Sequence, residues 1–380
     1  MSLRSSLLLG AALALLLAGQ AAALPRSTET MLKEVKLLGD PMVADLEQEV
    51  TTSPAALIAA AKKEGSLTIS GSMRDQDFRK MTGPFRERYP GITLKYISGD
   101  TNMRSVTPLI AFRQGKIIAD IVEGLGNNVS DYRAAGALAK TDDLPNYKNI
   151  PTEMQDPDGY WIAPRLRYWG ITYNTSTVKE SDLPKTWDDL LTAKAFYNGR
   201  IGLLNRPNNF LINLWGAKGP DWSKNFIEKL FTEVKPQFRS EGADVGVELV
   251  GAGEFDLSIP TADYRTWEIA HKGAPVAWYS PEPIPLSFSA LAVIAGSPHL
   301  AAAKLYVNWF LSKEGQVAQF WAEQAPPSHK GMQDPRFLVY PKAILGKQLA
   351  PRYPKLLEED MPTVQKLWDQ AWQKASSKSR

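Results

Sequence analysis

Between residues 54 and 140 short apolar runs alternate with helical ones, and few folds accept that order. Ser53-Pro54 reads as a helix start, a hydroxyl N-cap followed by proline at the first helical position, with Gly65 as its end. Leu67-Thr68-Ile69 reads as a strand running into Ser70-Gly71-Ser72. Phe78, Met81, Thr82, Phe85 and Tyr89 then recur at helical spacing and predict one helix up to Pro90-Gly91. A second strand over 92–97 ends in Ser98-Gly99-Asp100-Thr101, and a helix over 103–114 follows. A third strand over 117–122 leads into Gly124-Leu125-Gly126-Asn127 and a helix around 132–138. Strands this continuously apolar are covered on both faces, and units of about 25 to 30 residues imply right-handed crossovers in an open, mostly parallel sheet. In such sheets ligands sit beyond the carboxyl ends of the strands. Ser72, Arg74, Asp100, Thr101 and Asn127 are candidates on that ground, although small polar residues at these turns are also ordinary capping chemistry.

The pattern restarts further along. Residues 160–163 and 169–173 read as two extended segments around Arg165 and Arg167. Thr186 followed by Asp189 is a capping box, and 200–204 is a strand before a helix opened by Asn208-Asn209. Residues 24–52 carry no clear period and look like a leader arm. A helix near 225–231 precedes a strand over 255–259, and Asp263-Tyr264 begins the next helix. Strands over 273–278 and 286–295 follow, and Ser297-Pro298 caps a long last helix. Two βα series joined by extended segments imply two lobes with a cleft between them. Guanidiniums at Arg74, Arg165 and Arg167 and the helix start at Asn208-Asn209 suit a carboxylate or phosphate, or pair with surface acids. Tyr160, Trp161, Tyr168, Trp169, Tyr264 and Trp267 could stack on a ring or simply fill the core, and Glu282 in a proline-rich loop could meet an amine or be punctuation.

Composition narrows the chemistry. The 380 residues contain no cysteine, which removes disulfides, thiolate metal sites, a cysteine nucleophile and a lipid-anchoring cysteine. His271, His299 and His329 are far apart, and a formal charge of +3 gives no case for nucleic acid. Arg4, an apolar stretch over 7–18 and the small-x-small pattern of Ala21 and Ala23 read as a cleavable signal peptide over 1–23, implying a periplasmic protein. No Gly-x-Ser-x-Gly elbow, phosphate-binding loop or His-Glu-x-x-His stretch occurs, so the chain reads as a binding protein rather than an enzyme, with a secreted hydrolase as the rival.

Several longer motifs carry a resemblance. Tyr173-Asn174-Thr175, Leu183-Pro184-Lys185-Thr186-Trp187-Asp188-Asp189-Leu190-Leu191, Gly253-Glu254-Phe255-Asp256 and the run from Ala295 through Gln316 resemble, in order and spacing, the periplasmic solute-binding proteins of ABC importers. The group is type II, which includes the ferric-ion-binding proteins. The resemblance implies an α/β fold of two lobes, each a mostly parallel sheet flanked by helices and joined by hinge strands. It places lobe 1 at 54–165 plus 285–325 and lobe 2 at 168–280 plus 336–375. It implies a monomer without cofactor that closes on a small polar or anionic solute and serves a membrane permease and its ATPase. Ferric relatives hold iron with two adjacent tyrosines at a helix start. Here the pair falls on Asp263 and Tyr264, so these two would be the metal ligands if iron were the solute. Met73 and Leu125, near the positions of the other ligands, cannot supply the anionic oxygens that a hard cation requires.

Overall fold

A computed structural model describes residues 24–125, 128–353 and 356–377, and the signal peptide expected over 1–23 lies outside them. The supposed arm is folded as α1 (Arg26–Glu34) and α2 (Leu46–Val50). Met31, Leu32, Leu37 and Leu46 are buried in the first core, so the segment is part of that body rather than a leader. Its helices are too short for a period to show: α2 offers only Leu46 and Val50 to the interior.

The βα series then runs α3 (Ala55–Glu64), β1 (Ser66–Gly71), α4 (Asp75–Met81), α5 (Gly83–Arg88), β2 (Thr93–Ser98), α6 (Thr107–Arg113), β3 (Ile121–Glu123) and α7 (Val129–Ala134). Gly65 ends α3 in the left-handed conformation at φ 68°, where a side chain would be strained. Ser53 does not cap α3; its hydroxyl accepts from Asn308 Nδ2 at 2.8 Å instead. The single helix expected over 78–89 is broken into α4 and α5 at Thr82-Gly83-Pro84, because Pro84 has no N–H to continue the ladder.

Then come β4 (Leu138–Ala139), β5 (Ile162–Asn174), α8 (Trp187–Leu190), β6 (Ile201–Leu204), α9 (Leu211–Lys218), α10 (Pro220–Lys229), β7 (Gln237–Arg239), α11 (Ala243–Gly251), β8 (Leu257–Ala262) and α12 (Asp263–His271). The chain ends with β9 (Val276–Tyr279), β10 (Ile284–Ile294), α13 (Leu300–Phe310), α14 (Lys313–Glu323), α15 (Pro341–Ile344), β11 (Leu349–Pro351) and α16 (Met361–Ser376). The two extended segments around Arg165 and Arg167 are one strand of 13 residues, β5. Both halves of the Thr186–Asp189 capping box form. Ser297 does not cap α13, whose N-cap is His299; its hydroxyl donates to Asp120 Oδ1 at 2.7 Å.

The strands follow the order β2-β1-β3-β10-β5-β8-β6-β7, with β4 and β11 on β10 and β9 on β5. β1 runs parallel to β2 and β3, and β6 parallel to β7 and β8. Between these parallel wings lie β5 and β10, antiparallel to each other with Ser287 opposite Arg167 and Ser289 opposite Arg165. Each wing packs its own core. One gathers buried residues from Met31 to Tyr168 and from Trp278 to Ile344; the other gathers residues from Ile171 to Ile259 with Met361, Val364 and Trp368. The segment after residue 336 is therefore divided: Phe337 and Ile344 pack in the first core, and Leu356, Leu357 and α16 pack in the second.

Gly170 sits where β5 passes between β8 and β9, and a Cβ there would lie 2.4 Å from the carbonyl oxygen of Tyr279. Gly170→Ala should lower the melting temperature by several degrees, since backbone cannot yield as a side chain does. Gly91→Ala, whose added carbon meets only Lys62 at 3.7 Å, should melt within about a degree of the parent by calorimetry.

Candidate functional site

The carboxyl ends of β1 and β3 abut the middle of β5 and β10, and the charges there are arranged in a chain. Arg165 on β5 is 1 % exposed and donates to Glu123 Oε2 at 2.9 Å and Glu323 Oε2 at 3.2 Å. A buried guanidinium needs such partners, so Arg165 belongs to the core and is not a solute ligand. Burial pushes the Glu123 carboxyl up while Arg165 pulls it back; Arg165 itself is held protonated by the two acids. Gly71 is required beside them, because a Cβ would lie 2.6 Å from the Tyr96 hydroxyl and 2.9 Å from Glu123 Oε2.

Arg167 is two residues further along β5 and so on the same face. It shares Glu323 at 3.7 Å and lies 4.6 Å over the ring of Tyr264, the second residue of α12. Arg265 lies 5.5 Å from the same ring and is paired with Asp244 and Glu268. Arg104, from the π-type turn Asn102–Val106, completes the cluster. Its Nε has no hydrogen-bond partner, and Nη1 reaches only the Gly99 carbonyl at 3.4 Å. Burial, and then the positive charges of Arg167 and Arg165, pull Arg104 down to about 10. Gly124 makes room for it: at φ 69° a Cβ would come within 3.2 Å of Arg104 Nε. Three guanidiniums thus face the carboxylates Glu123 and Glu323, with the buried Asp263 carboxyl, itself pushed up to about 7, also near Arg167. Ser287, 3 % exposed opposite Arg167, has an unpartnered hydroxyl. The junction has donors and positive charge to spare, which is what an anion needs.

The other sequence candidates divide. Ser72, Asp100 and Thr101 are exposed, and Asp100 Oδ1 accepts the Met103 N–H at 2.9 Å, which is turn chemistry. Asn127 lies outside the described residues. Arg74 pairs with Asp77 at 2.7 Å and reaches Glu268 on α12 at 2.7 Å, joining the two wings. Burial works against that carboxylate, yet Lys272 and Arg74 hold Glu268 down at about 2. Asn208 and Asn209 form a 3-10 turn ahead of α9, and Asn208 offers its carbonyl oxygen, not its amide, to Arg352 Nη1 at 2.6 Å. Asp263 begins α12 fully buried, and desolvation pushes it up to about 7 against the Tyr264 N–H and the charge of Arg167. Glu282 pairs with Lys347 at 2.8 Å. His299 pairs with Asp120 and His329 with Glu49, both at 3.1 Å, so these two histidines serve the framework. Among the described residues no group of three His, Cys, Asp or Glu side chains could hold a metal ion, and no helix is long and apolar enough to cross a membrane. Arg104 and Arg352 carry no local sequence signal, since each is marked only by the partners it lacks in three dimensions.

Residues 51–317 match the sequence model of a family described as bacterial extracellular solute-binding protein. Among solved structures, iron-bound HitA from Pseudomonas aeruginosa aligns with a TM-score of 0.67 and 22% identity over 80% of this chain and 99% of that one. An ABC transporter substrate-binding protein from Bradyrhizobium japonicum USDA 110 aligns at 0.68 and 18% identity over 81% and 99%. Trichodesmium IdiA (FutA) in complex with iron and citrate aligns at 0.64 and 16% identity, again over 81% and 99%. At these identities the likeness is one of fold. No curated protein sequence matches the chain significantly.

Two measurements check the charge arrangement. Arg165→Met leaves Glu123 buried without an ion-pair partner and Glu323 with only the longer contact to Arg167, and should cost about 3 to 5 kcal/mol in denaturant unfolding. Asp263 has a folded pKa raised above its unfolded value, so the stability it contributes is present below about pH 4 and lost as pH rises through about 7. Arg167, Tyr168 and Tyr340 are the titratable groups that interact with it. Asp263→Asn should therefore gain on the parent between pH 4 and 8; parallel stability curves would contradict this account of the carboxyl.

Proposed function

The chain belongs to the bacterial extracellular solute-binding protein family, and from that premise we propose that it is the substrate-binding component of an ABC import system. It captures a small anionic solute in the periplasm, as a monomer and without turnover, and delivers it to a membrane permease energised by an ATPase. The observation that carries the anionic reading is the pair Arg104 and Arg167 near Tyr264: Arg167 has only a distant carboxylate oxygen of Glu323, at 3.7 Å, and Arg104 has none within ion-pair distance among the described residues.

The geometry supplies the steps. An anion entering the junction replaces water on Arg104 and Arg167, whose forked N–H groups match carboxylate or phosphate oxygens. Tyr264 and Arg265 belong to α12, on the far side of the cleft from Arg104, so one solute contacts both lobes. The Arg74–Glu268 pair spans the same gap and stabilises the closed arrangement from the side. Closure by rotation of the lobes is the signal that the permease reads. A ferric ion alone suits this junction poorly. Tyr264, the surviving tyrosine, has guanidinium carbons 4.6 and 5.5 Å from its ring centroid, and these repel a trivalent cation and hold no anionic oxygen for it.

Native mass spectrometry of protein drawn gently from its own periplasm should show a bound organic or phosphorus-containing mass. A ferric mass without a companion anion would overturn the reading. With that solute, Arg104→Gln should weaken binding at least tenfold while the ligand-free protein melts no lower than the parent, because an unpaired buried charge has been removed. Tyr264→Phe should weaken binding several-fold with little change in the ligand-free melt. Saturation at about 100 times Kd should add roughly 2.7 kcal/mol of stability. Scattering profiles that are identical with and without a stabilising solute would defeat lobe closure.

A further inference from the structure

A second guanidinium without an acid lies across the same strands. Arg352 follows β11, and its N–H donates to the Leu286 carbonyl at 2.8 Å, so the ladder continues one residue past Pro351 and sets Arg352 beside Ser287. Ser287 in turn stands opposite Arg167 in the pairing of β10 with β5. The next residues, Phe288 and Tyr353, turn to the opposite face, where their ring centroids approach to 6.3 Å. Arg167, Ser287 and Arg352 therefore form a row on one face of three adjacent strands, with the outer two backbones about 10 Å apart.

Two of the three residues in the row, Ser287 and Arg352, have unsatisfied polar atoms. Arg352 is 8 % exposed, Nη1 is bound to the Asn208 carbonyl, and Nε has no partner. Among the described residues no carboxylate lies within ion-pair distance of it, in contrast to Arg165 with two, and burial pulls it down to about 10. Ser287, buried between the two arginines, has a free hydroxyl. A buried cation without counter-charge is unfavourable in the empty protein and is relieved by an anion from outside.

Resting on the reading that this junction binds an anionic solute, we propose that the solute is a short dianion, one end held by Arg104 and Arg167 and the other by Arg352, with Ser287 against its middle. A monoanion satisfies one end and leaves the other guanidinium bare, and a site built for two polar groups discriminates against a ligand that lacks one.

The test is isothermal titration of the ligand-free protein with the α,ω-dicarboxylates from malonate to adipate, against acetate, butyrate and inorganic phosphate. At least one dicarboxylate should bind ten or more times tighter than its matched monocarboxylate, and Arg352→Gln should bring that ratio within twofold of unity. Should Arg352→Gln fail to fold, Ser287→Ala carries the same test and should lower the ratio several-fold. An unchanged ratio in the variant that folds would remove the second subsite while leaving an anion-binding junction intact. Equal affinity of the parent for monoanions and dianions would do the same. Absence of binding by every probe would overturn the anionic reading itself, and this proposal with it.

Discussion

The guanidinium of Arg165, closed between Glu123 and Glu323, fixes the geometry of everything around it. It ties the end of β3, the middle of β5 and the last residue of α14, three places distant in sequence, in an interior where charges attract more strongly than in water. Two carboxylates to one guanidinium leave negative charge over, and Arg167 answers it through Glu323. That pull lays Arg167 against Tyr264. With both acids engaged, none remains for Arg104, so the surplus charge of the junction is the last consequence of how the first pair was buried. A further buried acid, Glu314 at the start of α14, binds Arg88, Trp309 Nε1 and Thr28, and so fastens the 24–52 segment to the same framework.

Local signals survived into the structure where their physics is local. The Thr186–Asp189 box, the left-handed Gly65 and the helix start at Asp263 each depend on a few neighbouring residues. Most strands of the two wings were legible for a similar reason, being short, apolar and punctuated, whereas β7, three half-buried residues with two polar side chains, carried no such pattern. The two arginines of β5 show the limit. Arg165 and Arg167 look alike in the sequence and share a face, yet one is sealed in the core by a glutamate 158 residues away and the other borders the site. Arg104 lay in a helical run and Arg352 in a proline-rich tail; only the absence of acids around them gives them meaning. The break at Gly83-Pro84 was visible as a proline, but the apolar period across it was strong enough to suggest one helix.

A formal charge of +3 over 380 residues says nothing about what the chain attracts. The effective charge is local and partly dehydrated, because folding withdraws Arg352 and much of Arg104 from water before any solute arrives. Donors prepared in this way need little reordering on binding, which is where preorganised sites gain their affinity.

The chain passes between the two cores three times: along β5, between β9 and β10, and between α15 and α16. Because β5, β10 and β11 are hydrogen-bonded neighbours, these tethers stand side by side. A body joined to another by one tether can swing in any direction; one joined by a line of tethers keeps a single easy rotation, about that line, like a door on its pins. Arg167, Ser287 and Arg352 lie across the pins themselves, so the proposed rotation would shift them least and would leave the spacing along their row unchanged.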